Sequence, residues 1–162
     1  MAAGATYEPL ATTTLGSAAA SITFSSISGS YTDLMLIVNG TAGSGLNMLM
    51  QYNSDTTTKY STTRILGDGS SATSDRITTS ADMYIGVMGT VNTTNVIQIQ
   101  NYSNSTTYKT ALSRANSTTI WTGAFVTLWR STSAITSIKI YLASAGSFQT
   151  GTTATLYGIA AA

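Results

Sequence analysis

Leu34-Met35-Leu36-Ile37-Val38 decides the fold class. Side chains of an extended chain alternate between two faces, so Leu34, Leu36 and Val38 share one side and Met35 and Ile37 the other. Apolar residues on both sides predict a strand covered on both faces. Working outward, the same period of two recurs. Ile22 and Phe24 alternate with Ser21 and Thr23, and Leu46, Met48, Met50 and Tyr52 form the next alternation. Met83, Ile85 and Val87 follow, then Ile97 and Ile99 between Gln98 and Gln100. Leu112 reads as the apolar centre of a strand over 108–114. The run 120–130 sets Trp121, Phe125 and Trp129 on one face against Ile120, Ala124, Val126 and Leu128 on the other. Ile138, Ile140 and Leu142 alternate with Lys139 and Tyr141, and Leu156, Tyr157 and Ile159 close the chain. No segment sustains a helical period; 46–50 could pass for one turn, but its flanks are turn-formers. The pattern predicts roughly eight to ten strands in an all-β, single-domain antiparallel β-sandwich of the jelly-roll type.

Three stretches lack the alternation. Residues 53–81 are the most polar and carry Asp55, Asp68 and Asp75 with Gly67 and Gly69, so they read as an irregular surface segment. Residues 144–152 read as a Gly/Ser loop. Binding specificity normally sits on segments of this kind. Residues 1–17 are small and Thr-rich with Tyr7 and Leu10 as isolated anchors. They read as an extended N-terminal arm lying on a neighbour, with a disordered tail or an edge segment of the same domain as the alternatives. The remainder, 18–162, is the sandwich.

Composition supports this reading. Only 8% of the 162 residues are charged, against roughly a quarter in ordinary soluble domains. The 22 Ser and 31 Thr make a neutral polar skin, while 43% hydrophobic residues suffice for a core. The seven cations, Lys59, Lys109, Lys139, Arg64, Arg76, Arg114 and Arg130, are scattered, and the net charge is +1. A nucleic-acid partner is not expected, because such binding draws its affinity from clustered cations. No run approaches the roughly 20 apolar residues of a membrane span, and the N-terminus has no signal-peptide pattern, so a soluble chain made in the cytosol is expected. Low charge leaves little repulsion between copies, which favours assembly.

The available chemistry is narrow. The chain has no His and no Cys, which removes His general bases, Cys nucleophiles and most zinc or transition-metal sites. Six carboxylates remain: Glu8, Asp33, Asp55, Asp68, Asp75 and Asp82. A glycosidase needs two of them facing across a cleft, and only Asp68 and Asp75 could pair. The alternative is that the loop aspartates cap turns through backbone N–H groups. Segment 67–75 only loosely resembles a calcium loop. No catalytic, cofactor or metal site is expected, and the chain reads as a non-enzyme. Trp121, Trp129, Tyr52, Tyr60, Tyr84, Tyr102 and Tyr108 could form a sugar-stacking platform, although alternate tryptophans on a strand more often anchor a core or interface.

Fragments along nearly the whole chain carry a further signal. They are Tyr7-Glu8-Pro9-Leu10-Ala11-Thr12-Thr13-Thr14-Leu15-Gly16-Ser17, Ile22-Thr23-Phe24, Tyr31-Thr32-Asp33-Leu34, Gly67-Asp68-Gly69-Ser70 and Tyr108-Lys109-Thr110 with Arg114. Trp129-Arg130-Ser131-Thr132, Ala134-Ile135-Thr136-Ser137-Ile138 and Leu156-Tyr157-Gly158-Ile159 complete the set. In this order the chain resembles a family of small structural proteins of tailed bacteriophages, especially marine phages and cyanophages. At Asn53-Ser54-Asp55, Ser54 stands where the family usually carries glycine. The resemblance implies a virion protein with a sandwich or jelly-roll body, and supplies no catalytic residue.

The expected function is a capsid decoration, or cement, protein on the outer surface of the head. Its partners would be the major capsid protein and further copies of itself, as a homotrimer or a dimer. Tyr7, Glu8, Pro9 and Leu10 are the expected docking residues, with Glu8 meeting a basic residue on the shell. The alternative is a tail-associated or fibre-tip protein binding a host glycan.

Overall fold

The computed structural model describes residues 6–116 and 122–160. Twelve strands run β1 (Tyr7–Thr14), β2 (Ser21–Phe24), β3 (Asp33–Gly40), β4 (Leu46–Tyr52), β5 (Tyr60–Gly67) and β6 (Ala72–Ser80). They continue as β7 (Met83–Met88), β8 (Thr93–Ile99), β9 (Lys109–Asn116), β10 (Thr122–Trp129), β11 (Ile138–Leu142) and β12 (Thr153–Ile159). None of the described residues is helical. The strands form an eight-stranded sheet, β1-β12-β3-β8-β9-β10-β5-β6, and a four-stranded sheet, β2-β11-β4-β7, with every pairing antiparallel. One apolar core lies between them, so the β-sandwich expected from the alternation is the observed class.

The alternation places the core directly. Leu34, Leu36 and Val38 of β3, Ile97 and Ile99 of β8, and Leu156 of β12 point inward from the large sheet. Ile22, Phe24, Met48, Met50, Ile138 and Ile140 meet them from the small one. At one end Trp129 is 2% exposed and packs edge-on to Tyr52, with centroids 5.5 Å apart, and stacked on Tyr60 at 6.3 Å. Its indole Nε1 donates to Asp55 at 2.9 Å, so the aromatic cluster also ties down the loop before β5. Lys109 is wholly buried beside it and donates to the carbonyls of Thr107 at 2.6 Å and Thr132 at 3.2 Å. Burial pushes the pKa of that ammonium down.

Four expectations are corrected. Leu112 is not a core residue: it is 41% exposed, and Ala111, Ser113 and Ala115 face inward instead. These small side chains let β7 approach β9 closely enough for the Ser113 hydroxyl to donate to the Ile85 carbonyl. Val87 leaves the core as well, because β7 is bulged where it pairs with β4 and Met88 takes the inward place. The supposedly irregular stretch 53–81 contains β5 and β6, a hairpin that extends the large sheet. Its β6 strand is polar because it lies at an edge and is exposed nearly throughout.

The last correction concerns residues 1–17. Residues 1–5 lie outside the described residues, and 6–17 are no separate arm: Tyr7–Thr14 is the edge strand β1, paired along β12 from Tyr7↔Ile159 to Thr14↔Thr153. Leu15 and Ala19 continue the attachment through backbone bonds to Thr152 and Phe148. No break separates this segment from the sandwich at residue 17. Pro9 fits here because a residue without an N–H is tolerated on an edge strand, and the register shifts immediately after it. The segment lacked visible alternation because an edge strand of threonines is exposed at most positions.

Replacing Trp129 with alanine empties the aromatic corner and leaves Asp55 without the indole donor. Urea unfolding followed by tyrosine fluorescence is expected to show a loss of about 3–5 kcal/mol.

Candidate interaction surface

Inward burial on one side of a sheet displays the alternate residues on the other. In the large sheet the register lines them up across the strands. One row runs Pro9, Tyr157, Met35 and Gln98, then Leu112, Val126, Thr63 and Arg76. The next runs Thr155, Ile37 and Val96, then Arg114, Ala124 and Ile65. The two rows make an apolar band across the outer face. Val126 is 53% and Ile65 61% exposed, and with Tyr7 and Leu112 they make up four of the six large hydrophobics exposed among the described residues. Met35 and Ile37, predicted to be covered, are half-buried at the surface of the same band.

Polar residues border the band. Thr153, Asn39, Thr94, Asn116 and Thr122 align along one end. Asp33, Thr110 and Ser61 lie toward the other, where Asp33 accepts the Asn101 amide at 2.6 Å. Charge on the face is confined to Arg114 near its middle, Arg76 at the β6 margin and Asp33. Among the described residues the ion pairs are Lys59–Asp55 and Arg64–Asp75, so neither Arg114 nor Arg76 is paired.

The four expected docking residues divide between two surfaces. Tyr7 and Pro9 lie on the outer face, with register partners Ile159 and Tyr157. Glu8 and Leu10 lie on the inner side. The Glu8 carboxylate stands beside the Tyr31 hydroxyl and raises its pKa. Leu10 packs on the core and lines a groove of about 360 Å³ with Phe24, Ile27, Tyr31 and Leu156, between the edge strands β1 and β2. The structure therefore does not bring Tyr7, Glu8, Pro9 and Leu10 together as one site. Periodicity reasoning missed the outer band because its members come from separate strands whose order it does not reveal.

Of the loop aspartates, Asp55 and Asp68 hold backbone. Asp68 accepts from the amides of Ser70 at 2.9 Å and Ser71 at 2.7 Å, which lowers its pKa strongly. Asp75 forms the ion pair with Arg64. The two carboxylates that a glycosidase reading needs are thus each engaged with other groups, and the calcium-like segment 67–75 is a hydrogen-bonded turn and strand. Among the described residues no group of three or more acidic side chains could hold a metal ion. On the small sheet Asp82 accepts from Gln51 at 2.7 Å and from the Tyr141 hydroxyl, and burial raises its pKa. The sugar-stacking platform does not form, since Tyr52, Tyr60, Tyr102 and Trp129 are buried; Trp121 lies outside the described residues.

Two predictions follow from this geometry. Deleting residues 1–14 strips one edge of β12 and removes Leu10 from the core, so the thermal midpoint should fall by at least about 5 °C. An unchanged midpoint would make the segment dispensable to the fold. Acid should also destabilise the protein. Burial opposes ionisation of Asp55, yet bonds from Thr57 and Trp129 and the nearby Lys59 ammonium outweigh it and hold its pKa low. Asp55, Asp68 and Asp75 all have lowered folded-state values. Their contribution is present above the ordinary carboxylate value of 3.8 and is lost as pH falls below it. Asp82, raised, opposes this trend in the same range. Thermal melts from pH 7 to pH 2 should show a midpoint that drops below about pH 4.

No protein-family model, curated protein or solved structure matches the chain.

Proposed function

We propose that this chain is a structural protein of a tailed-phage particle, a capsid decoration protein that binds the outer surface of the head shell and adds buried contact area to it. The observation that carries this reading is the outer face of the large sheet, a broad apolar band with few charges that suits permanent burial between assembled copies of the chain. Assembly interfaces of this kind work through shape and apolar contact rather than through reacting groups. The sequence resemblance to phage structural proteins agrees with it.

The strand order is a second support. Four strands, β1-β12-β3-β8, stand against β2-β11-β4-β7, and among these eight the chain crosses between the two sets at every step except from β4 to β7. We read this as a jelly roll whose first sheet is widened by the hairpins β9-β10 and β5-β6. Jelly rolls of two Greek keys recur in viral capsid domains, although a fold alone assigns no function.

In this reading the chain performs no catalysis and needs no cofactor; its partners are the major capsid protein and its own copies. Antibody labelling of particles, imaged by cryo-electron microscopy, tests it. Label spread over the head is expected. Label confined to the tail, or absent from particles that carry the gene for this chain, overturns it.

A further inference from the structure

We infer that the outer face of the eight-stranded sheet is a homodimer interface, on which a second copy of this chain packs face to face. The inference rests on the assembly reading above and names the partner for that surface.

Area comes first. Eight strands about 4.8 Å apart and about seven residues long, at about 3.3 Å per residue, present a footprint of about 900 Å². A stable interface takes about 800 Å² from each partner, so the whole face, its polar margins included, is of the size that one dimer interface needs. The face thus suffices for a whole dimer interface.

Its layout agrees. Met35, Ile37, Val96, Leu112 and Val126 make most of the middle, with Gln98 and Arg114 among them, and the line of Thr and Asn residues described above forms a polar margin. Apolar centre and polar rim are the anatomy of an interface core and its border. Two sheets stacked this way keep their strands within about 30° and about 10 Å apart, leaving one layer of side chains from each to interlock.

Charge selects the occupant. With Arg114, Arg76 and Asp33 as its charged groups, the face attracts neither a strongly acidic nor a strongly basic partner. A second copy offers the same nearly neutral, apolar surface. At a net charge of +1 the chain has little self-repulsion to prevent contact and little to keep a bare apolar face dispersed. Pairing covers that face before the protein meets any shell and leaves the groove between β1 and β2 open.

The test uses the full chain and sedimentation equilibrium at micromolar concentration. Wild type is expected to run as a dimer. Val126→Asp and Leu112→Asp each place a carboxylate twice in the symmetric interface, and should weaken dimerisation by at least about tenfold. Both positions are exposed in the single chain, so the folded signature in circular dichroism should persist. Val91→Asp, equally exposed but in the turn between β7 and β8, should leave the dimer intact. A monomeric wild type, a trimer, or a dimer indifferent to Val126→Asp and Leu112→Asp overturns the inference. Because these measurements need no virus particle, a dimer on this face with no label on particles would sink the proposed function and leave this inference standing.

Discussion

Close packing of β7 against β9 is the constraint on which the rest of the sandwich depends. Ser113 donates its hydroxyl to the Ile85 carbonyl, and Asn95 of the adjoining strand donates to the Val87 carbonyl at 3.2 Å. At Gly86 a Cβ would collide with the Asn95 side chain. Only small residues fit between the sheets here, so Ala111, Ser113 and Ala115 turn inward. By the period of two, Leu112 and Arg114 must then turn outward. Polar bonds between the sheets replace the apolar layer that separates them elsewhere. Breaking one would leave a buried group unpaired, at a cost of about 1–3 kcal/mol.

The same inversion shapes the outer surface. A leucine that would ordinarily enter the core is displayed beside Val126, and neighbouring strands set Val96, Met35 and Ile37 next to it. Inside, the sheet is packed with aliphatic and aromatic side chains; outside, it carries enough of the same chemistry to be packed again. The polar edge strands border that apolar surface. β6 is polar and exposed at nearly every position, while β1 is rich in threonine and interrupted by Pro9. Both features discourage pairing at the sheet's edges and leave its face as the apolar surface.

Loop order depends on short polar contacts. Asn53 accepts from the amides of Thr136 and Ser137 and donates to the Ala134 carbonyl, joining the end of β4 to the segment before β11. Asn104 and Asp68 each close a turn by accepting two backbone amides. A chain so rich in Ser, Thr and Asn uses these groups to satisfy backbone that the sheets leave unpaired, and Asp33, Asp55 and Asp68 serve the same end.

Much of the fold was legible in the sequence. Alternation at Leu34–Met35–Leu36–Ile37–Val38, at Ile22 and Phe24 and at Ile138, Ile140 and Leu142 identified the strands and their inward faces, because side-chain period is a local property of extended backbone. Turn aspartates were legible for the same reason, since Asp68 reaches amides only two and three residues away. Local pattern was therefore enough for the all-β class, most of the inward residues and the narrow range of available chemistry. Strand pairing in the folded chain was needed to show that β1 is an edge strand, that 53–81 contains a hairpin, that Leu112 faces out and that Tyr7 and Leu10 part company. Each depends on which strands are neighbours, and that pairing joins residues far apart along the chain through contacts that no local pattern encodes.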